Sequence, residues 1–133
     1  SRVVADPIAP LAPLSFFDHL ESLDPWERML LRDTTCTANL LSLKDHLERG
    51  NRIYIASDGG ANAVAGSFGW VIATHDTILW KGKGPVYGTD PASFRAEAYG
   101  TNAVVRFVLQ YVTFFHVQAR ARSCLLYIFP SPR

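Results

Sequence analysis

The stretch Arg52-Ile-Tyr-Ile-Ala-Ser-Asp58 constrains the fold most, because it is apolar on both faces of an extended chain and ends in an acid. Successive side chains of a strand point to opposite faces, so the two isoleucines lie on one face and Tyr54 and Ala56 on the other. A strand that is apolar on both faces is typical of the middle of a sheet. The sequence therefore predicts a central strand over residues 52–58.

Two further apolar runs predict that this strand belongs to a three-stranded antiparallel meander. Residues 68–74 and 77–81 alternate in the way expected of strands, and His75-Asp76 between them predicts a tight turn. The third strand is expected to end at the glycine-rich stretch that begins at Lys81. Trp70 and Trp80, on the second and third strands, are expected to pack on the sheet, with stacking on nucleic-acid bases as the alternative.

A long helix and a fourth strand follow the meander. Asp90 is a suitable N-cap, and Pro91 fits the first turn. Residues 123–129 predict a strand that runs parallel to the first one after a right-handed crossover. The fold class is therefore α/β with a mixed sheet. Helical spacing places one set of side chains towards the sheet: Phe94, Ala98, Thr101, Val105, Val108 and Val112.

Residues 1–50 have a helical pattern. Helices are predicted to begin after Ser15 and Asp24, both of which are good N-caps, and a third is predicted over residues 37–49. Short helices of this kind more often form a packing collar or a partner surface than a site. We therefore divide the chain into a helical segment or linker, 1–50, and an α/β domain, 51–133.

Charge and cysteine content limit the classes of partner and compartment. Residues 1–50 hold eight acids and five bases, whereas residues 51–133 hold four acids and eight bases. The basic second part favours a polyanionic partner such as nucleic acid, with an ordinary mixed surface as the alternative. Cys36 and Cys124 lie far apart, which favours reduced thiols and an intracellular setting, cytoplasmic or nuclear. No apolar run approaches the ~20 residues that span a bilayer, so we expect no membrane contact.

Two acids are candidates for metal binding. Asp58 closes the central strand and Glu97 lies in the first turns of the long helix, so both can reach one cleft at the strand ends. Phosphodiester hydrolysis by paired metal ions uses carboxylates clustered in this way. Taken singly, Asp-Gly is also a turn signal, and an acid near a helix start is also stabilised by the helix dipole. Their order and spacing together favour one half of a metal-dependent nuclease site.

Three motifs together resemble a ribonuclease H domain: Ser57-Asp-Gly-Gly60, Gly66-Ser-Phe-Gly-Trp-Val-Ile72 and Arg95-Ala-Glu-Ala-Tyr-Gly100. The resemblance covers about residues 50–118 and is closest to the ribonuclease H-like segments that follow reverse transcriptases in retroelements. It implies cleavage of the RNA strand of an RNA–DNA hybrid, with magnesium or manganese as cofactor. It also implies a reverse transcriptase domain as neighbour if the chain is part of a longer polyprotein.

The resemblance assigns roles to single residues. Asp58 matches the first, metal-bridging acid of the family and Glu97 the second, so both are expected to be catalytic and to bind metal. Four other residues match positions that contact or approach the substrate: Gly59, Gly60, Ser93 and Arg95.

The sequence also departs from the family pattern. The third acid of the family ends the fourth strand, where this chain has Phe129 or Pro130. The fourth acid, the catalytic-loop histidine and the last helix and strand belong to a later segment that this chain lacks. We therefore expect a fold that is incomplete at its C-terminus, weak metal binding and no hydrolysis. We interpret residues 120–133 as the product of a frameshift or a wrongly joined exon. The alternatives are a non-catalytic nucleic-acid-binding remnant and a helical protein-interaction module.

Overall fold

Four antiparallel strands and four helices account for most of the computed structural model, which describes residues 14–61, 66–86, 93–118 and 126–130. For residues 61, 93, 94 and 126–130 it describes the backbone alone. The elements in chain order are α1 (Phe16–Glu21), α2 (Pro25–Leu30), β1 (Asp33–Cys36), α3 (Ser42–Arg49), β2 (Ile53–Ala61), β3 (Gly66–Ala73), β4 (Ile78–Val86), α4 (Ser93–Phe114) and β5 (Leu126–Pro130). The protein is therefore an α/β protein.

The strands form one open sheet in the order β1-β4-β3-β2-β5. The antiparallel meander β2-β3-β4 confirms the prediction for this part of the chain. The tight turn at His75-Asp76 is confirmed too, because the amide of Thr74 donates to the carbonyl of Thr77 at 2.8 Å. At the other edge, β5 lies beside β2 and runs parallel to it, with Pro130 opposite Ser57. The start of α4 at Asp90-Pro91 lies outside the described residues.

The helical prediction for residues 1–50 is correct for α1 and α2 and wrong for the segment between α2 and α3. The Ser15 hydroxyl caps α1 by accepting from the amide of Asp18 at 3.0 Å. Residues 33–36, however, form β1, an edge strand antiparallel to β4. Thr37 still bonds to the sheet, since its amide donates to Leu79 and its hydroxyl to Ile78. A helix therefore cannot begin at Thr37, and α3 starts at Ser42.

The glycine-rich stretch Lys81-Gly-Lys-Gly84 lies inside β4 instead of ending it, which corrects the sequence prediction. A Cβ atom at Gly82 would lie 2.4 Å from the Trp70 ring, and one at Gly84 would lie 2.6 Å from the Phe68 ring. These glycines make room for large aromatic side chains on the neighbouring strand. The burial of Trp70 and Trp80 confirms that both tryptophans pack on the sheet.

The predicted sheet-facing side of α4 is confirmed for Val108 and Val112, which are half-buried and pack against the core, and is wrong for its exposed members. The side chain of Phe94 lies outside the described part of the chain. Val105 is 48% exposed, and Ala98 and Thr101 are exposed as well. The buried side chains of α4 are Ala96, Ala103, Val104, Phe107 and Tyr111. The prediction placed the valines against the sheet. The aromatic side chains bury more apolar surface and therefore determine the rotation of the helix. Small residues lie where α4 comes closest to the sheet, and the aromatic residues lie further along the helix.

The N-terminal helices share one core with the sheet. Phe16 of α1 contacts Trp80, Phe107 and Tyr111, with ring centroids 5.6–5.8 Å apart. Buried side chains before and after residue 50 belong to one continuous cluster. The boundary at residue 50 marks a change of sequence pattern, and packing continues across it.

Glu27 joins α2 to α4 and is only 5% exposed. Its Oε2 atom accepts from Arg106 Nε and from Gln110 Nε2, both at 2.9 Å. We expect Glu27→Gln to lower the free energy of unfolding by about 1–3 kcal/mol, because it leaves the Arg106 charge uncompensated in a partly buried site. Chemical denaturation measures the change.

The matched control is the exposed pair between Asp45 and Arg49, 3.2 Å apart on α3. Asp45→Asn is expected to change stability by less than about 0.5 kcal/mol, because water screens exposed pairs. Equal effects of Glu27→Gln and Asp45→Asn would contradict a buried role for Glu27.

Tyr111 links α4 to the segment that precedes α3. Its hydroxyl donates to the carbonyl of Leu40 at 2.6 Å and accepts from the amide of Lys44 at 3.0 Å. Burial raises the pKa of Tyr111 to about 12. Its contribution to stability is therefore fully present below about pH 10, the ordinary tyrosine value, and is lost as the pH rises to about 12.

We expect wild-type protein to lose more stability between about pH 10 and about pH 12 than the variant Tyr111→Phe does. Denaturation curves of both proteins across this range measure the difference. Parallel losses in the two proteins would show that the Tyr111 hydroxyl is not protected by the fold.

Candidate metal and nucleic-acid site

The start of α4 crosses β2 at residues 57–59 in very close contact. A Cβ atom at Gly59 would lie 2.2 Å from the carbonyl carbon of Ala96 and 2.4 Å from the amide nitrogen of Glu97. A Cβ atom at Gly100 would lie 3.2 Å from the carbonyl oxygen of Asp58. Glycine at both positions therefore lets the helix backbone rest on the strand backbone. The crossing places Gly59 against the backbone of Glu97, and Gly100 against the backbone of Asp58.

Asp58 is exposed and lies between two buried residues, Ser57 and Gly59. Because side chains alternate along a strand, its carboxylate leaves β2 on the face opposite to α4. One oxygen accepts a hydrogen bond from the amide of Gly59 at 2.9 Å. The carboxylate is thus turned along the strand towards Gly59, the residue that contacts α4. Its exposure leaves it accessible to a cation.

Glu97 is half-buried and is the fifth residue of α4. The first turn of the helix contains no acid. Since the effect of the helix dipole falls off within the first turn, the dipole alone is a poor explanation for an acid at this position. The contact between Gly59 and the amide of Glu97 joins this acid to β2 beside Asp58. β2 ends at Ala61, three residues after Asp58, so the prediction that Asp58 closes the strand is wrong.

The other predicted site residues lie around the same crossing. Gly60 is exposed, and no atom lies within 4 Å of a Cβ built there, so a ligand has room to approach its backbone. Ser93 is the first residue of α4 and is described by its backbone only. Arg95 is half-buried and precedes Glu97 by two positions. The sequence prediction of these contacts with substrate stays a prediction.

The carboxylates available for a metal are few. β5 ends in Pro130 beside Ser57, where the ribonuclease H pattern has its third acid, and residues 98–133 contain no acid. Within the described residues, no group of three or more histidine, cysteine, aspartate or glutamate side chains could hold a metal ion. Magnesium commonly takes one or two protein carboxylates and completes its shell with water and phosphate. Two carboxylates are enough for one magnesium ion and too few for a two-ion centre.

A groove between α2 and α4 was not found from the sequence. It has a volume of about 700 Å³, and it reaches the residues that directly follow Glu97. Its lining residues are Trp26, Met29, Leu30, Phe68, Pro85, Ala98, Tyr99 and Asn102. The only local signal was the exposed apolar pair Trp26 and Met29 on α2, because the groove forms through contacts between distant segments.

Comparison with family models, curated proteins and solved structures gave no match to this chain. In the described part of the chain, none of the helices has both the length and the apolar character needed to cross a membrane.

Proposed function

We propose that this chain is a ribonuclease H-like domain that binds an RNA–DNA hybrid with the help of one magnesium ion and does not cleave it. The observation that carries the proposal is the crossing of α4 over β2, where Gly59, the residue after Asp58, meets the backbone of Glu97. The three motifs that resemble ribonuclease H contain the residues of this crossing.

Each residue at the crossing would make a different contribution to binding. The carboxylates of Asp58 and Glu97 would hold the ion, whose charge favours the approach of a phosphate. The open backbone at Gly60 leaves space for that phosphate, and Arg95 adds a positive charge on α4. Phosphate contacts of this kind position a nucleic acid without reading its sequence.

Cleavage requires more than this site offers. Two ions about 4 Å apart activate the attacking water and stabilise the leaving oxygen in two-metal hydrolysis. Two carboxylates cannot hold both ions, and Pro130 supplies no ligand side chain beside Ser57. Binding without hydrolysis is therefore the expected behaviour.

A binding assay with a labelled RNA–DNA hybrid tests the proposal. Magnesium is expected to tighten binding about tenfold relative to EDTA, a difference of about 1.4 kcal/mol. Asp58→Asn and Glu97→Gln should each remove this dependence. Asp76→Asn is the matched control, because this exposed acid lies in the turn at the opposite end of the meander.

The same samples distinguish the two parts of the proposal. Magnesium-independent binding that neither variant changes would refute the metal site. Hybrid cleavage that is lost in Asp58→Asn would refute the inactive state and show that the chain is a nuclease.

A second candidate function is nucleic-acid binding without metal through the lysines of β4. Lys81 and Lys83 are both exposed on β4, on the face opposite to the glycines that pack against Trp70 and Phe68. Hybrid binding would then fall steeply with salt. It would be weakened by Lys81→Ala and Lys83→Ala and would not depend on magnesium.

A further inference from the structure

The groove between α2 and α4 has an apolar floor and a partly exposed aromatic rim. Leu30 and Phe68 are at most 8% exposed and form the floor, whereas Trp26 is 55% exposed and forms part of the rim. Its volume of about 700 Å³ lies within the usual range for small-molecule sites, about 300–1,000 Å³. The groove is therefore large enough for one planar ring system with a polar substituent.

The tryptophan on the rim is held in place by a charged network. The guanidinium carbon of Arg106 lies 5.3 Å from the Trp26 ring centroid, and Arg106 in turn is bound to the buried Glu27. Holding the ring in advance lowers the entropy that a ligand must offset when it stacks on it. On the other side of the groove, Tyr99 contacts Phe68 with ring centroids 6.1 Å apart. Both walls thus present aromatic surface.

Polar groups lie on the α4 side of the groove. Asn102 is exposed, and its amide offers both a donor and acceptors. Arg95 lies one helical turn before Ala98 and Tyr99, on the same side of α4. An amide beside aromatic rings suits the edge of a nucleobase, and an arginine one turn away suits a phosphate. An alkyl chain would use neither the aromatic faces nor the amide.

We propose that this groove binds one unpaired base of a nucleic-acid strand, stacked on Trp26, with its edge at Asn102 and its phosphate at Arg95. The inference rests on the proposed function, because it names a second contact for a strand that is bound at the adjacent crossing. Stacking of a base on an aromatic side chain tolerates any sequence. The groove would therefore favour hybrids with a single-stranded end or a bulge.

Trp26 itself reports on the groove. Of the three tryptophans, Trp70 and Trp80 are at most 3% exposed, so a ligand in the groove should quench mainly the Trp26 emission. Adenosine 5′-monophosphate is expected to quench this emission saturably, and ribose 5-phosphate, which has no base, is not. Asn102→Ala and Arg95→Ala should each weaken binding of the nucleotide about tenfold, since each removes one polar contact.

Binding of a hybrid with a single-stranded end, followed by fluorescence anisotropy, tests the stacking role. Trp26→Ala should weaken binding about tenfold and Trp26→Phe should largely restore it, given ~1–3 kcal/mol for base stacking. Leu109→Ala is the control, because Leu109 is an exposed apolar residue of α4 outside the groove lining. A blunt hybrid should be insensitive to all three variants.

Three results would overturn the inference: no quenching by the nucleotide, equal quenching by ribose 5-phosphate, or quenching by decanoate or an apolar peptide but not by the nucleotide. The last result would assign the groove to a lipid or to a protein partner. Failure of the metal site would appear separately. Asp58→Asn would then leave magnesium-dependent binding of the hybrid unchanged, while the nucleotide would still quench the Trp26 emission.

Discussion

Gly59→Ala is expected to lower the free energy of unfolding by about 3 kcal/mol, a large cost for a single methyl group. The added Cβ atom would lie 2.2 Å from the carbonyl carbon of Ala96 and 2.4 Å from the amide nitrogen of Glu97. These are backbone atoms of a helix and cannot rotate away as a flexible side chain could. The strand and α4 must move apart, so the contact around Asp58 is lost together with stability.

Gly60→Ala provides the control in the adjacent position of the same strand. No atom lies within 4 Å of a Cβ at Gly60, so its effect should stay within about 0.5 kcal/mol. Urea denaturation of the two variants measures the contrast. A tolerated Gly59→Ala, or equal losses at both glycines, would mean that α4 does not rest on β2 in the way described.

Phe107→Ala is expected to lower the free energy of unfolding by about 4 kcal/mol. Phe107 is fully buried, and its ring lies 4.9 Å from the rings of both Trp70 and Trp80. Truncation would leave a cavity between the sheet and α4, and the rigid indoles around it can fill little of that space. Val105→Ala, at a side chain that is 48% exposed, should cost less than about 0.5 kcal/mol.

Thermal or urea denaturation of both variants decides which side of α4 faces the sheet. The valine spacing in the sequence favours Val105, and the structure favours Phe107. A larger loss at Val105 than at Phe107 would restore the rotation that the sequence analysis predicts.

The strands of the meander could be predicted because their signals are local. Ile53 and Ile55 alternate with less buried neighbours, and the turn at His75-Asp76 follows from adjacent residues. β1 could not be predicted, because four residues are too few for a periodic pattern and their pairing partner β4 lies more than forty residues away along the sequence. The rotation of α4 depends on Phe16 and Trp80, which fill the space beside Phe107 only in the folded chain.

The two acids could be selected from the sequence, but their surroundings could not. Asp58 and Glu97 stand out by order and motif, whereas the contact that joins their segments is a glycine on a helix backbone. The groove beside them combines α2, the sheet and α4. A local sequence pattern cannot predict a cavity that forms between three distant segments. The sequence around Tyr99 and Asn102 therefore did not indicate a site.

A manganese titration followed by amide NMR tests the proposed metal site most directly. Because the ion is paramagnetic, it broadens the signals of nearby amides. We predict selective broadening around Asp58 and Glu97, and its loss in Asp58→Asn. A well-dispersed spectrum that manganese leaves unchanged, or broadening that survives in Asp58→Asn, would contradict a metal site at the crossing of α4 and β2.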